Sequence, residues 1–232
     1  MSTIIPELGK PYYIYGDWFP VMHEMGHPLI LPMPRCRNGE LERNECYLLA
    51  YATRRFKPRR IMEFGTFKGV TTLILAANSP ADAEVFTLDV KEKPVRMTED
   101  DAQFCNPDTV GEAFRHNDAT ITPIAKKITQ LWGDSLDFDF SQYYKSMDFI
   151  FIDGGHEYET VSSDLRNSHK MLRNPYEGIV FCHDAATWRP SVLWAVADFI
   201  NETGLSLYVF AGTSVVGIGH SLHYLFRSSL EL

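Results

Sequence analysis

The fold is decided by two stretches of the chain, Arg60-Ile-Met-Glu-Phe-Gly-Thr-Phe-Lys-Gly69 and Met147-Asp-Phe-Ile-Phe-Ile-Asp-Gly-Gly-His156. Each starts with a short apolar run that is typical of a buried strand, and each continues into a turn with two glycines. Glycine lets the backbone turn tightly and lets a ligand approach it closely. A strand that ends in such a turn indicates the α/β class, in which strands alternate with helices.

The same unit recurs along the chain on both sides of these stretches. The predicted strands cover residues 60–64, 85–89, 120–125, 147–153, 178–182, 205–210 and 214–218, and the predicted helices cover 40–56, 70–78, 162–172 and 192–203. The last two strands flank Ala211-Gly-Thr213 and predict an antiparallel hairpin. We therefore expect a doubly wound, Rossmann-like, mostly parallel sheet with a C-terminal antiparallel hairpin.

The first forty residues differ from the rest of the chain. Prolines at positions 6, 11, 20, 28, 32 and 34 break any long element there. We expect residues 1–40 to be an irregular N-terminal extension, either a lid over the substrate or an arm packed without a functional contact. Residues 41–232 are predicted to form a single domain.

Composition and charge narrow the class of partner. The chain has 232 residues, 45% of them hydrophobic, and a net charge of −8, with no basic cluster longer than two residues. These values favour a globular domain with a small-molecule substrate and no nucleic-acid partner. No apolar run reaches the roughly 18 residues of a membrane span, and no signal peptide is evident. Four cysteines without C-x-x-C spacing indicate reduced thiols, so a cytoplasmic location is expected.

Candidate site residues follow the strands, because α/β sheets bind ligands at the carboxyl ends of their strands. Glu63 ends the first strand, and Gly65 and Gly69 follow it. The spacing is not G-x-G-x-x-G, so a dinucleotide fits less well, and an acid before the glycine suits a ligand with a cationic amino group. Asp89 ends the second strand, where a carboxylate can accept hydrogen bonds from ribose hydroxyls.

Together with two later motifs, these residues resemble class I S-adenosylmethionine-dependent methyltransferases. The later motifs are Gly133-Asp134-Ser135 and Asp153-Gly-Gly-His156-x-Tyr158-x-x-Val161-x-x-Asp164. The sequence is most similar to the small-molecule O-methyltransferases whose fourth strand ends in Asp-Gly-x-His and whose fifth ends in His-Asp, here His183-Asp184. The resemblance runs from about residue 41 to the end.

The resemblance implies a set of cofactor-binding residues. Glu63, Gly65 and Gly69 would surround the methionine part of S-adenosylmethionine, Asp89 would hold the ribose, and Asp134 with Ser135 would lie beside the adenine. Thr66 and Asp153 complete this set. Two alternatives stay open: Asp134-Ser135 as a simple turn or helix cap, and Asp89 as a solvated acid in a loop.

A second constellation contains Asp153, His156, His183 and Asp184. In metal-dependent O-methyltransferases of the catechol type, the equivalent positions hold Mg²⁺, which binds and acidifies the substrate hydroxyl. The resemblance therefore implies Asp153, His183 and Asp184 as metal ligands for Mg²⁺ or Mn²⁺. It implies His156, with Asp153, as the catalytic pair, because the general base lies three residues after the fourth-strand aspartate.

His183 departs from that pattern, since Mg²⁺ prefers oxygen ligands and a carboxylate is usual at this position. Either His183 is not a ligand, or the ion is a softer one such as manganese or iron, or no metal binds and histidine performs the base chemistry. A structural role also stays open: His183 and Asp184 would brace their loop, and His156 would support the turn at Gly154-Gly155.

The prediction is an enzyme that methylates a hydroxyl group of a small molecule. One alternative is a non-catalytic subunit that binds S-adenosylmethionine, and a homo-oligomer is also open. A remote alternative is a zinc hydrolase, because His23-Glu24-x-x-His27 has the spacing of a zinc-protease motif. Gly26 and Pro28 disfavour the helix which that chemistry needs.

Overall fold

The structure is a computed structural model that describes residues 12–14, 29–31, 39–115 and 119–226. The strands in this part of the chain are Tyr12–Ile14 (β1), Arg60–Phe64 (β2), Glu84–Asp89 (β3), Ile128–Trp132 (β4), Phe149–Ile152 (β5), Ile179–Cys182 (β6), Leu207–Phe210 (β7) and Val216–Ile218 (β8). The α-helices are Arg43–Phe56 (α1), Val70–Asn78 (α2), Glu99–Ala102 (α3), Glu112–Arg115 (α4), Thr122–Ala125 (α5), Tyr158–Met171 (α6), Pro190–Thr203 (α7) and Leu222–Leu225 (α8).

These strands form one sheet in the spatial order β4-β3-β2-β5-β6-β8-β7-β1. Strand β8 runs antiparallel to its neighbours β6 and β7, and the other neighbouring pairs are parallel. The predicted mostly parallel sheet with a C-terminal antiparallel hairpin is therefore confirmed. Because β2 lies between β3 and β5, the strand order changes direction beside the turn after β2. Such a switch point is where open α/β sheets leave a ligand-binding crevice.

The centre of the sheet is buried on both faces. Every residue of β5 and β6 is buried. Helices α1 and α2 pack on one face around Leu48 and Ile74, and α6 and α7 pack on the other around Leu165 and Val196. Parallel strands covered on both faces need such continuous apolar runs. Each buried aliphatic side chain contributes about 1.5–3 kcal/mol, so burial decides which helix face meets the sheet.

One predicted strand is wrong. Residues 120–125 contain the short helix α5, with Pro123 in its first turn, and the strand that pairs with β3 is Ile128–Trp132 instead. Proline fits the first turn of a helix because its missing N–H is not needed there, and it weakens a strand. The observed strand, β4, lies at the edge of the sheet. Its polar residues Thr129 and Gln130 interrupt the run of apolar residues by which a buried strand is recognised in a sequence.

The N-terminal extension contributes a strand to the sheet. Tyr12–Ile14 pairs in parallel with β7, in the register Tyr12 to Tyr208 and Ile14 to Phe210. The expected irregular structure of residues 1–40 is thus corrected at these three positions, where pairing with the edge of β7 overrides the surrounding prolines. The motif at His23–His27 lies outside the described residues, as does most of the predicted lid.

Two observations concern composition. The cysteines in the described ranges, Cys46, Cys105 and Cys182, are free thiols. Among the residues that the structure describes, no helix combines the length and apolarity that a membrane span needs.

The predicted helices 40–56, 162–172 and 192–203 are confirmed with slightly different ends, and helix 70–78 with the same ends.

Gly65 is the point where the turn after β2 touches the end of β5. Its φ is 89°, and a Cβ atom there would lie 2.0 Å from the carbonyl oxygen of Asp153. The Gly65 N–H donates to the Leu88 carbonyl at 2.9 Å, and the Asp153 N–H donates to the Phe64 carbonyl at 2.9 Å. Only glycine allows both this backbone conformation and this close approach.

We expect Gly65→Ala to lower the free energy of unfolding by at least about 2 kcal/mol, because the left-handed conformation and the clash with backbone both oppose it. Gly204→Ala is a matched control, since Gly204 has a φ of 68° with nothing within 4 Å of the added Cβ. Gly204→Ala is therefore expected to lose only the free energy due to the left-handed backbone conformation, about 1 kcal/mol. Urea denaturation measures both, and equal losses in the two variants would contradict the close approach.

Candidate active site

A cavity of about 640 Å³ opens at the carboxyl ends of β2 to β6. It brings together the predicted site residues Gly65, Thr66, Gly69, Asp89, Asp134, Ser135, Asp153, His156, His183 and Asp184, which all line its wall. This volume is in the range of small-molecule sites. The predicted cofactor-binding and catalytic residues therefore share one cavity, because parallel strands present their carboxyl ends at the same edge of the sheet.

Glu63 is the exception and does not line the cavity. Its side chain is fully buried beneath the turn, where Oε2 accepts hydrogen bonds from the hydroxyls of Thr72 and Thr87, the latter at 2.6 Å. The Thr87 hydroxyl in turn lies 2.7 Å from that of Thr66, which accepts from the Gln130 amide at 2.9 Å. The direct cofactor contact of Glu63 stays a prediction, and the observed role of its carboxyl is to anchor the turn.

Burial sets the charge of Glu63. It raises the pKa of Glu63 to about 8, against the lowering effect of the two threonine hydroxyls, and the nearby Asp153 and Asp89 raise it further. The other carboxyl oxygen, Oε1, has no hydrogen-bond partner among the described residues. A protonated carboxyl is the form that such a site favours, since an ionised one would be buried without a cation.

Asp89 holds the same turn from the other side. Its Oδ2 accepts the backbone N–H groups of Thr66 at 3.0 Å and Phe67 at 2.8 Å, and its Oδ1 accepts that of Val90 at 2.7 Å. A carboxylate oxygen has two acceptor positions, so Oδ1 keeps one for a ligand hydroxyl. The interpretation of Asp89 as a solvated loop acid does not fit this half-buried, bonded carboxylate.

The surroundings of Asp134 are compatible with both of its interpretations, a cofactor-binding residue and the cap of a turn. It lines the cavity, and its carboxylate also caps a turn by accepting the Leu136 N–H at 3.0 Å. Oδ2 lies 2.9 Å from two nitrogens of the exposed Arg96, which also contacts Asp137. The turn places Ser135 at the cavity wall, so the capping role and the expected position beside the adenine are compatible.

His156 lies between two carboxylates. Its Nδ1 is 2.7 Å from Oδ1 of Asp101, and its Nε2 is 2.8 Å from Oδ2 of Asp184. The Asp101 carboxylate also accepts the His156 backbone N–H at 3.2 Å, and the Ser191 hydroxyl donates to the His156 carbonyl at 2.7 Å. Burial lowers the pKa of His156, but the hydrogen bonds to Asp101 and Asp184 outweigh it and raise the pKa to about 9.

His183 forms the second centre of the cluster. Its Nδ1 is 2.9 Å from Oδ1 of Asp153 and 3.3 Å from Oδ1 of Asp184, and its Nε2 is 3.1 Å from Oε2 of Glu45 and 3.1 Å from the Ser214 hydroxyl. Burial opposes the charged imidazole, but these carboxylates raise the pKa of His183 well above its ordinary value. Burial also opposes the charge on Glu45, yet His183 lowers the pKa of Glu45 to about 2.

Three of these residues are suited to a metal ion. Asp153, His183 and Asp184 offer ligand atoms that all lie within 4.8 Å of one another. One imidazole nitrogen with two carboxylates fits Mn²⁺ or Fe²⁺ better than Mg²⁺, which prefers oxygen throughout. The predicted ligand set is thus brought together by the fold, and whether it holds a metal stays a prediction.

Sequence reasoning missed Glu45 and Asp101. Glu45 had a signal, because it is an acid on the apolar face of α1, four residues after Leu41 and three before Leu48, and it is buried. Its Oε2 also accepts the Glu42 N–H at 2.9 Å in a capping box. Asp101 lies on the short helix α3 in the long connection between β3 and β4, where no pattern in the sequence indicates a site.

The sheet order, the reversed strand β8 and the cavity at the strand ends define the class I methyltransferase fold. A family model described as a methyltransferase domain matches residues 62–185, which is more than half of the chain. The chain therefore belongs to this methyltransferase family. It has no match among curated protein sequences.

Solved structures share the fold at low sequence identity. The O-methyltransferase TomG from Streptomyces achromogenes, in complex with SAM, is 16% identical with a TM-score of 0.57, covering 78% of this chain and 81% of that one. An O-methyltransferase from Bacillus cereus in complex with SAH is 16% identical, with a TM-score of 0.54 and coverage of 79% and 84%. The SAH-bound methyltransferase PaMTH1 from Podospora anserina is 17% identical, with a TM-score of 0.56 and coverage of 78% and 80%.

The raised pKa of Glu63 predicts a pH dependence of stability. A carboxyl with a folded pKa of about 8 and an ordinary value of 4.5 favours folding fully below pH 4.5, and this contribution is lost as the pH rises through about 8. Glu63→Gln lacks this titration. We therefore expect the free energy of unfolding of the wild type to fall relative to that of Glu63→Gln, by on the order of 3 kcal/mol, when the pH is raised from 5 to 9.

Urea denaturation at the two pH values measures this gain. Glu177→Gln, at an exposed position, is the control and is expected to follow the wild type. If the free energies of unfolding of Glu63→Gln and of the wild type change equally between the two pH values, the buried, protonated carboxyl is contradicted.

Proposed function

We propose that the protein transfers the methyl group of S-adenosylmethionine to a hydroxyl group of a small molecule. The observation that carries the proposal is that one cavity holds a carboxylate for a ribose, Asp89, and a cluster of histidines and acids at the adjoining strand ends. The SAM- or SAH-bound neighbours TomG and the Bacillus cereus enzyme support the cofactor and the O-methylation.

The residues on the cofactor side fit S-adenosylmethionine. Asp89 keeps an acceptor position on Oδ1 for a ribose hydroxyl. The absent side chain of Gly65 leaves the turn packed on the Asp153 backbone. S-adenosylmethionine would supply a methyl group on a sulfonium centre, in which the methyl carbon is the electrophile and the sulfur leaves with the electrons of the broken C–S bond. The residues around the cavity would hold cofactor and acceptor so that in-line attack is favoured.

On the acceptor side, the residues that move a proton are His156 and its partners. Asp101 fixes the orientation of the imidazole through Nδ1, which leaves Nε2 on the side of Asp184 and of the cavity. We infer that His156 takes the proton of the acceptor hydroxyl at Nε2 after the imidazole has lost its own proton, which the raised pKa of about 9 opposes and a cation bound near Asp184 would favour. A divalent ion at Asp153, His183 and Asp184 would supply charge that favours both the ionised hydroxyl and the neutral imidazole.

The domain organisation belongs to the same proposal. Residues 41–232 would form the catalytic domain, and residues 1–40 an N-terminal extension that is either a lid over the substrate or an arm packed without a functional contact. A homo-oligomer and a cytoplasmic location stay predictions. A non-catalytic cofactor-binding subunit has less support, because two histidines held by four carboxylates line the cavity.

Asp89→Ala is expected to weaken the binding of S-adenosylhomocysteine by about 1–3 kcal/mol, because it removes the ribose acceptor and two anchors of the turn. Isothermal titration calorimetry measures the change. Asp82→Ala is the control, since Asp82 is an exposed acid that lies outside the cavity wall. The cofactor proposal fails if the wild type gives no binding heat at millimolar ligand.

His156→Ala is expected to reduce kcat by about 10²–10⁴ while leaving the affinity for S-adenosylhomocysteine nearly unchanged, as for the loss of a general base. Asp101→Asn leaves the His156 imidazole in place but removes its charged partner, so a smaller reduction of kcat, about tenfold, is expected. His223→Ala, at an exposed position, is the control. Methyl transfer to an accepted substrate is measured with and without a chelator.

The chelator separates the two versions of the chemistry. If activity disappears with the chelator and returns with Mn²⁺ or Mg²⁺, the metal version holds. If the chelator has no effect and His156 stays essential, histidine acts without a metal. Activity that resists the chelator and survives substitution of both His156 and His183 would refute both versions.

A further inference from the structure

Glu45 is a buried acid beside the predicted metal ligands, although it is not one of them. It lies in the first turn of α1, has a relative exposure of 3%, and borders the cavity. Its carboxyl contacts one ring nitrogen of His183, whereas Asp153 and Asp184 contact the other. The contacts of Glu45 therefore decide how that ring is held.

The carboxyl of Glu45 is surrounded by donors. Its Oε1 accepts the backbone N–H and the hydroxyl of Ser214, each at 2.8 Å, and its Oε2 accepts the Glu42 N–H at 2.9 Å. Oε2 also lies 3.1 Å from Nε2 of His183. The Ser214 hydroxyl is 3.1 Å from the same nitrogen, but its proton is directed at Oε1, so this hydroxyl accepts from Nε2. Because both groups that face Nε2 are acceptors, Nε2 carries a proton.

The other ring nitrogen of His183 faces the predicted metal ligands. Its Nδ1 is 2.9 Å from Oδ1 of Asp153 and 3.3 Å from Oδ1 of Asp184. An imidazole nitrogen binds a cation through its lone pair, and the hydrogen bond made by one nitrogen decides which nitrogen is free to do so. Since the proton on Nε2 is held by Glu45, Nδ1 is the nitrogen that can offer a lone pair beside the two carboxylates.

We propose that Glu45 is the positioning residue of the predicted metal centre: it holds a proton on Nε2 of His183, so that Nδ1 binds a divalent cation together with Asp153 and Asp184. A histidine that ligates a metal commonly donates its other N–H to a carboxylate, which fixes the tautomer and the orientation of the ring. When the cation binds, the proton on Nδ1 leaves to water and the proton on Nε2 remains. The inference rests on the metal version of the proposed function.

The capping of α1 explains only one of the contacts of Glu45. A glutamate in a capping box needs to accept no more than the N–H of the N-cap residue, here Glu42. The carboxyl of Glu45 also contacts His183 and Ser214, which are 138 and 169 positions away. Burial of a carboxylate is costly unless it is paired and hydrogen-bonded, so these distant partners are what its buried position serves.

The first test measures the binding of Mn²⁺ to the full chain by isothermal titration calorimetry, without a substrate. Glu45→Gln has one acceptor oxygen where donors approach two, so it holds the ring less well. We expect this variant to bind Mn²⁺ about 10–100 times more weakly than the wild type. Glu159→Gln is the matched control, because Glu159 is an exposed acid in the first turn of α6 and lies outside the cavity wall. It is expected to bind Mn²⁺ as the wild type does.

Glu45→Asp separates the position of the carboxylate from its charge. It keeps the charge but is one methylene shorter, so it cannot reach both Ser214 and Nε2 of His183. Binding of Mn²⁺ is expected to be about ten times weaker than in the wild type. Affinity equal to that of the wild type would show that the charge alone matters, and would overturn the inference.

The ring itself is observed by two-bond ¹H–¹⁵N correlation spectra of the wild type, which do not depend on the folding of a Glu45 variant. Zn²⁺ serves as a diamagnetic probe, and His183→Gln identifies the signals of the ring. Coordination through Nδ1 with a proton on Nε2 is the expected result. Coordination through Nε2 would overturn the inference.

Metal binding and cofactor binding fail separately. A wild type that binds no Mn²⁺ at millimolar concentration overturns the inference alone, because the cofactor is tested by the binding of S-adenosylhomocysteine. A wild type that binds Mn²⁺ with these effects of Glu45 but does not bind S-adenosylhomocysteine overturns the proposed function and supports the positioning role.

Discussion

The contact between the turn at Gly65 and the backbone of Asp153 is the constraint on which the rest of the site depends. The turn after β2 carries Thr66 and is anchored by Asp89, whereas the end of β5 carries Asp153 and leads to His156. A side chain at Gly65 would separate these two strand ends, because the added atom would overlap the Asp153 carbonyl. The predicted cofactor-binding residues and the histidine cluster therefore share one cavity only while this approach is kept.

The buried acids around the cavity fall into two groups according to their partners. Burial by itself raises the pKa of a carboxyl, and an opposite charge in direct contact can reverse the effect. Glu45, Asp101 and Asp184 each face a histidine, and their pKa values are lowered despite burial. Glu63 and Asp164 face no cation, and burial raises their pKa values to about 8.

This division gives the two ends of the cavity different chemistry. The end at the carboxyl termini of β5 and β6 holds ionised carboxylates and histidines, which suits a hydroxyl that must lose a proton. At the end beside α6, burial keeps the carboxyl of Asp164 mainly in its neutral form, next to Asp134.

Residues far apart in the chain complete the charged end. Glu45 on α1 reaches His183, which is 138 positions away, and it accepts the N–H and the hydroxyl of Ser214 from the turn before β8, each at 2.8 Å. The first described helix and the C-terminal hairpin thus both hold the imidazole in place. Strands β6 and β8 are neighbours in the sheet, and this pairing brings the turn before β8 to the end of β6, where His183 lies.

The sequence by itself determined the alternation of strands and helices, the hairpin and the strand-end residues, because these follow from local apolar runs and from glycine and acid positions next to them. It did not determine the edge strand β4, whose pattern is interrupted by polar residues, or β1, which exists only through pairing with β7. The tertiary structure alone decided that Glu45 and Asp101 hold the two histidines, and that Asp164 is buried beside Ser135. The physical reason is that such contacts depend on sheet order and helix docking, which bring together residues that no local pattern connects.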